Sequence, residues 1–404
     1  MGTITRSILC ACLSAVATEP QAPARWLDGE HLTGEWKGDR DTLADHGITI
    51  DLIYTAETFL TTARLGTAER AVSLLGHLDA ALTLDTQKLG LWRGGKFYFL
   101  GQNNHGVGIN ALVSSGTSIS NLEAPPYTQL TEFFYEQLLF GKRLRLRLGK
   151  QDANRDFGTP RYGGNFLNNN YGMFPTTPLP SYPTTGLGAV VVVEPTDWLA
   201  LKAAVCEGNP KVGSLGFDSA LAENGGLTTV VGTAITHRFG IDKRNGGTTS
   251  VGAWRQTGQI AEVSDAPMAR TFSSNWGLLV QNDERLYSDP SNEQNNGGLN
   301  VIVRFAWSQP DRNQIPLYFG ASAAWHGVTS TRDNDTIGIG FGYFTVSQQT
   351  GGTLGPGSEV FVEAFYKMRL TNFFSLQPDV ELYQHPGGDG PTTLLVGLRL
   401  KLKL

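Results

Sequence analysis

From residue 48 to the C-terminus the chain alternates apolar and polar positions with a period of two, the repeat of an extended strand whose side chains point to opposite faces. Ile48, Ile50, Leu52 and Tyr54 share one face, and Asp51, Thr55 and Glu57 the other. Arg143-Leu144-Arg145-Leu146-Arg147-Leu148 alternates strictly between basic and apolar. Between Glu359 and Leu370, Val360, Val362, Ala364, Tyr366, Met368 and Leu370 oppose Glu359, Phe361, Glu363, Phe365, Lys367 and Arg369. The last residues repeat the pattern, with Val396, Leu398, Leu400, Leu402 and Leu404 set against Gly397, Arg399, Lys401 and Lys403.

Read this way, the sequence predicts about sixteen strands, near 48–59, 74–86, 94–103, 131–140, 143–151, 186–194, 198–207, 228–239, 248–256, 272–282, 299–307, 316–326, 335–345, 358–370, 373–383 and 393–404. The pattern falters around 283–315, where one strand is open to misplacement. Each is about the length a tilted membrane strand needs. Tight connections at Gly141-Lys142, Pro195-Thr196-Asp197 and Thr371-Asn372 alternate with long loops at 104–130 and 152–185. Short turns at one end and long loops at the other describe a transmembrane antiparallel β-barrel rather than a soluble sandwich. Such barrels usually end on an aromatic residue, so Leu404 is a departure.

Composition agrees. Glycine supplies 49 of 404 residues, and charged residues are only 17% where a soluble protein has about 25%. No apolar run reaches about 18 residues, so no helix is expected to span a bilayer. A net charge of −5 gives no reason to expect nucleic acid. One segment reads as a helix: Glu35 to Asp45, stopped by Gly47. Met1 to Ala17 reads as a secretory signal, with Arg6 in the charged region and Ala15-Val16-Ala17 at the cleavage site. Cys10 and Cys12 would leave with it, and Cys206 would stand alone without a disulfide. The expected organisation is a signal (1–17), a periplasmic segment with a short helix (18–47) and an outer-membrane barrel (48–404).

The chain resembles the carbohydrate-selective porins of the OprB family over essentially its whole mature length. Leu32-Thr33-Gly34-Glu35-Trp36-Lys37-Gly38-Asp39-Arg40 and Leu43-Ala44-Asp45-His46-Gly47-Ile48 match the family's opening segment. Leu146-Arg147-Leu148-Gly149-Lys150-Gln151-Asp152 and Asn165-Phe166-Leu167-Asn168 match its middle, followed by Tyr182-Pro183 and Gly186-Leu187-Gly188. Leu376-Gln377-Pro378-Asp379-Val380, His385-Pro386-Gly387-Gly388 and Gly397-Leu398-Arg399-Leu400 match its end, with Glu381 for the usual Gln and His385 for the usual Asn. The resemblance implies a 16-stranded outer-membrane barrel that passively admits small sugars such as glucose, with inward-folded loops narrowing the channel and arginines contributing to sugar preference.

If the apolar faces meet lipid, the charged faces line water, because an arginine facing lipid at mid-membrane costs about 2–4 kcal/mol. Candidate channel-lining residues are Glu132, Arg145, Arg147, Lys150, Glu359, Glu363, Lys367, Asp379 and Arg399. Arg143, Glu136 and Phe361, Phe365, Gln377 and Tyr383 fall on the same faces, and closing the barrel would set Asp51 and Glu57 near Arg399 and Lys401. Loop 152–185 is the candidate constriction, with Asp152, Arg155, Asp156 and Arg161. Mixed charge suits neutral hydroxyl-rich solutes, which donate to carboxylates and accept from guanidinium groups, while aromatic faces cover a pyranose. The partners expected are small carbohydrates and outer-membrane lipid; monomer and trimer both stay open. No cofactor is expected, because the seven histidines lack metal-binding spacing, and Gly338-Ile339-Gly340-Phe341-Gly342 lies in a strand pattern rather than before a helix. The rival reading is a barrel for export or assembly of an extracellular polysaccharide; an enzyme has no convincing motif behind it.

Overall fold

Every segment with a period of two forms a strand in the computed structural model, which describes residues 26–64, 71–217, 225–240, 244–264, 269–290, 297–329, 331–347 and 354–404. The expected signal, residues 1–17, lies outside the described residues. The strands are β1 (Ile48–Arg64), β2 (Val72–Asp85), β3 (Gly95–Val107), β4 (Tyr127–Leu139), β5 (Leu144–Gln151), β6 (Gly186–Thr196), β7 (Leu199–Glu207) and β8 (Leu227–Phe239). They continue as β9 (Asn245–Ala261), β10 (Thr271–Ser288), β11 (Gly298–Ser308), β12 (Leu317–His326), β13 (Thr336–Val346), β14 (Gly357–Arg369), β15 (Phe374–Gln384) and β16 (Thr393–Lys403). Each pairs antiparallel with its sequence neighbour, and β1 pairs with β16, so the sheet closes without an edge. The alternation that falters after residue 282 does so at a bulge between Arg285 and Tyr287, which shifts parity within β10; β11 still follows at its expected place.

Closure sets Glu57 opposite Arg399, whose Nε donates to Glu57 Oε2 at 2.6 Å. Thr55, not an acid, opposes Lys401. Asp51 opposes Ala81 on β2 and lies beyond the last β1–β16 pair, Ile53 with Lys403, so it does not meet Arg399 or Lys401.

The outward faces carry exposed Val191, Leu201, Val231, Val251, Leu278, Phe305, Ile339, Val380, Val396 and Leu398 among others, an apolar band that water would not tolerate and lipid would. Buried apolar side chains lie inside the barrel, around the loops that fold into it.

The N-terminal helix is shorter than the sequence suggests. Trp36–Gly38 is a single 3-10 turn in which Lys37 adopts φ 60, and Gly38 follows at φ 93. Trp36, at φ 49, precedes them, and three successive left-handed residues break the helix, so α1 covers only Asp39–Asp45. It stops where expected, with Gly47 at φ +89. Arg40 ties this segment to the chain's other end: it donates to the carbonyl oxygens of Leu404 (2.7 Å), Gly34 and Ile50 and lies 3.9 Å above the Trp36 ring. Trp26 packs against Phe373 in the β14–β15 turn, and Leu32 N donates to Lys403 O. The segment therefore sits at the end of the barrel that carries the short turns.

Candidate functional site

Two long loops from the opposite end turn into the lumen. Loop 152–185 leaves β5, forms the short helix α3 (Asn154–Phe157) and crosses to the wall made by β11–β15. There Arg304 of β11, 1% exposed, donates to the carbonyl oxygens of Asn170 (2.6 Å), Met173 (3.2 Å) and Gly158 (2.6 Å), with its guanidinium 3.9 Å above the Phe174 ring. Tyr318 Oη donates to Asn170 O, and Gln377 Nε2 to Asn165 O. Glu363 accepts from the backbone of Leu167 and Asn168, and Glu381 accepts from the side chains of Asn168 and Tyr383.

Aromatic packing fills that side of the lumen. Phe166 stands 4.4 Å from Tyr171 and 5.0 Å from Phe365, and Tyr171 stands 5.8 Å from Phe361, centroid to centroid. The glycines of β13 make room. A Cβ at Gly340 would lie 2.4 Å from the Tyr171 ring, and one at Gly342 would lie 2.0 Å from Phe361. Phe361 and Phe365, read from sequence as platforms for a sugar, are buried under the loop and cannot meet a solute.

Loop 108–126 forms the second inward wall, with the short helix α2 (Asn110–Val113). Glu359 accepts from Ser115 Oγ and the backbone of Gly116 and Gly387, while Arg399 donates to Asn121 Oδ1 at 2.8 Å. The two loops meet where Tyr182 Oη donates to Leu122 O and Asn121 N to Leu167 O. Within the loop, Glu123 accepts from Asn110 N. Burial pushes the Glu123 carboxyl up to about 7, partly offset by the Asn110 N–H. A raised carboxyl favours the folded loop most below its ordinary value and loses that contribution as pH rises through about 7. Amide exchange across Asn110–Ser120, corrected for intrinsic rates, should therefore speed up between about pH 5 and about pH 8 in the wild type and stay level in Glu123→Gln. A level wild-type response would remove Glu123 from this role.

On the near side, loop 152–185 is tied to β4 and β5. Asp156 accepts from Arg145 and Arg147, and both arginines also approach Glu136 Oε2, at 3.4 and 3.8 Å. Arg155 pairs with Glu132 and lies 5.7 Å from the Tyr98 and Phe134 ring centres. Burial lowers the Arg155 guanidinium, but Glu132 and Asp152 outweigh it and hold it above its ordinary value.

These loops leave a polar cavity of ≈ 340 Å³ against β1, β2 and β14–β16, lined by Thr55, Asp79, Asn121, Asp152, Ser181, Tyr182, Lys367, Ser375, Gln377, Arg399 and Lys401 among others. A second cavity of ≈ 300 Å³ shares Lys367, Ser375 and Lys401 with it and adds Arg369, Thr371, Asn372 and Lys403, so the two form one path towards the short-turn end.

The candidate residues separate into three groups. Asp152, Lys367 and Arg399 line the path. Arg155 is exposed and pairs with Glu132; Arg145, Arg147 and Asp156 form an ion-pair cluster beside α3, and Arg161 is held by its backbone N–H on Asp283. Glu359, Glu363 and Asp379 point inward but are buried beneath the loops, so they are not open channel wall. Lys150 is a correction. It pairs across the sheet with Phe133 and Leu187, both on the outer face, and its Nζ is taken up by Leu130 O (3.2 Å) and Ser214 O (2.6 Å). Arg304, Asp79 and Asn121 do not stand out in the sequence, and Tyr182 does so only within a family motif.

A closed sixteen-stranded antiparallel barrel with an apolar outer band and a polar passage narrowed by inward loops defines an outer-membrane porin. The family model of the carbohydrate-selective porins, the OprB family, matches residues 69–404, and the chain belongs to that family. It is thus a channel of the bacterial outer membrane that admits sugars, a transport protein rather than an enzyme. No curated protein matches the sequence. Among solved structures, the chain is similar to the high-pH structure of Pseudomonas putida OprB (TM-score 0.84, 18% identity, 93% of this chain and 99% of that one). It is also similar to the low-pH structure of that protein (TM-score 0.62, 15% identity, 93% and 99%) and to a loop-deletion mutant of OmpT from Vibrio cholerae (TM-score 0.52, 11% identity, 88% and 99%).

Proposed function

We propose that this porin passes single sugar units, monosaccharides such as glucose, along the path between the joined loops and the β14–β16 and β1–β2 walls. The observation that carries this reading is the filled far side of the lumen: loop 152–185 and its aromatic packing leave the polar cavities as the way through. At ≈ 340 and ≈ 300 Å³ they are at the small end of ligand-sized spaces, about 300–1,000 Å³. Hydroxyl, amide, carboxylate and cationic groups along the path can replace the water lost by a sugar's hydroxyls. Arg155, Lys367, Arg399 and Lys401 are the side chains we assign to solute contact, with Tyr182 and Tyr98 as aromatic surfaces in place of Phe361 and Phe365. Diffusion down a gradient needs no cofactor. Residues 18–47 are assigned to the periplasm, because their described part, 26–47, adjoins the mouth with the short turns. Export of a polymer would need a wide continuous lumen, which two loops pinned across the interior do not offer.

Liposome swelling with solutes from pentose to maltohexaose, beside an uncharged amino acid of matched size, tests this. Monosaccharides should enter fastest and maltohexaose not at all. Equal entry of sugar and amino acid would leave a pore without sugar preference.

A further inference from the structure

We propose that the periplasmic half of the path favours monosaccharides that carry a negative charge, such as sugar acids, over neutral ones. This rests on the reading of the path as the sugar route and names its solute class more closely.

The basis is a pair of basic ladders. Lys367 and Arg369 point inward from β14, and Arg399, Lys401 and Lys403 from β16. Successive members of one ladder are two residues apart, about 7 Å along the strand, and the ladders are two strands apart, about 10 Å. Between them β15 presents Ser375 and Gln377: Ser375 pairs with Arg369 on one side and Lys401 on the other, and Gln377 pairs with Arg399. A neutral hydroxyl and amide flanked by cations suit a solute with hydroxyls in its middle and a carboxylate at its edge.

Carboxylates cancel only part of this charge. Glu57 pairs with Arg399, and Asp79 interacts electrostatically with Lys401. Asp79 is engaged by His77 and Gln102 through Oδ1, and Asp152 by Ser181 and the backbone of Asn154 and Tyr182. Asp51 lines the crevice between α1 and β1. Lys367 donates to Asn165 Oδ1 and Arg369 to Asn334 and Asn372, all neutral acceptors. Lys401 and Lys403 make no side-chain hydrogen bond or ion pair among the described residues. The chain as a whole carries −5, so a basic path is a local feature and not the bias of the whole protein. Charged rings in narrow aqueous pores select by sign.

The test compares glucuronate with glucuronamide, its neutral near-isostere, in liposome swelling of the full chain, together with the zero-current potential in a potassium chloride gradient. Two lysines ~7 Å from the solute at ~0.1 M salt should favour glucuronate about threefold. The potential should report anion preference. In Lys401→Gln/Lys403→Gln, whose side chains make no hydrogen bond or ion pair among the described residues, the ratio should fall to about one and the potential move towards zero. Equal entry in the wild type, or a ratio unchanged in the double variant, overturns the proposal and leaves the sugar route intact. Entry of neither solute, with ions still conducted, overturns the sugar route and this proposal with it.

Discussion

Replacing Arg304 with methionine should raise single-channel conductance severalfold and abolish discrimination between glucose and maltohexaose. Arg304 is buried in the barrel wall and satisfies three carbonyl groups of loop 152–185, at residues 158, 170 and 173. Methionine keeps the volume and removes every donor. The carbonyl groups of Gly158 and Met173 then lose their donor, while Asn170 O keeps Tyr318 Oη, and each unsatisfied group costs about 1–3 kcal/mol. The barrel does not need these bonds, since each strand keeps both neighbours. The cost therefore falls on the loop, which swings free of β11 and opens the far side. Arg304→Lys should be intermediate, because an ammonium keeps the charge but lacks the planar fork that spans three acceptors. Planar-bilayer recordings, with limited proteolysis of the loop, measure both effects. A folded Arg304→Met channel with wild-type conductance would show that the loop is held by other contacts.

The strands were legible because closure is written locally. Lipid outside and water or loop inside impose a period of two on every strand, and one strand's pattern can be read without knowledge of its neighbour. Where a bulge shifts parity, as at Arg285, the reading weakens at the same place. The helix is shorter than the sequence suggests because Trp36, Lys37 and Gly38 take left-handed conformations that composition does not announce. Parity alone also separates Lys150 from Arg145 and Arg147 on β5, and strand pairing puts it on the outer face.

The site was less legible because its depth depends on where a loop goes. An inward glutamate on β14 is the same letter whether it meets water or the backbone of Leu167, so Glu359 and Glu363 read as channel wall. Phe361 and Phe365 read as sugar platforms for the same reason. One signal was present: Gly338, Gly340 and Gly342 stand inward on the adjacent strand, and inward glycines in a barrel mark something large packed against the wall. Arg304 leaves no such trace, since its partners are backbone carbonyls that every residue has.

Converting Asp156 to asparagine should lower stability in urea by about 3 kcal/mol at neutral pH, the low end for removing one partner of a buried ion pair. The Asp156 carboxylate accepts from both Arg145 and Arg147, and the Arg147 side chain is 1% exposed. Without it the two guanidinium groups share Glu136 at longer range, and like charges two residues apart on one strand face repel. Burial pushes the Asp156 carboxyl up, but Arg147 and Arg145 outweigh it and hold it below its ordinary value of 3.8. A depressed carboxyl contributes stability that is present above its unfolded value and is lost as pH falls through the folded one. Wild type and Asp156→Asn should thus differ fully at neutral pH and converge only in strong acid, below about pH 4. Arg147→Met should share most of the same loss, and a double-mutant cycle should show strong coupling between the two positions. Coincident urea midpoints at neutral pH would mean that Glu136 alone compensates both arginines, and α3 would then be held to the wall by the pair of Arg155 with Glu132 on β4.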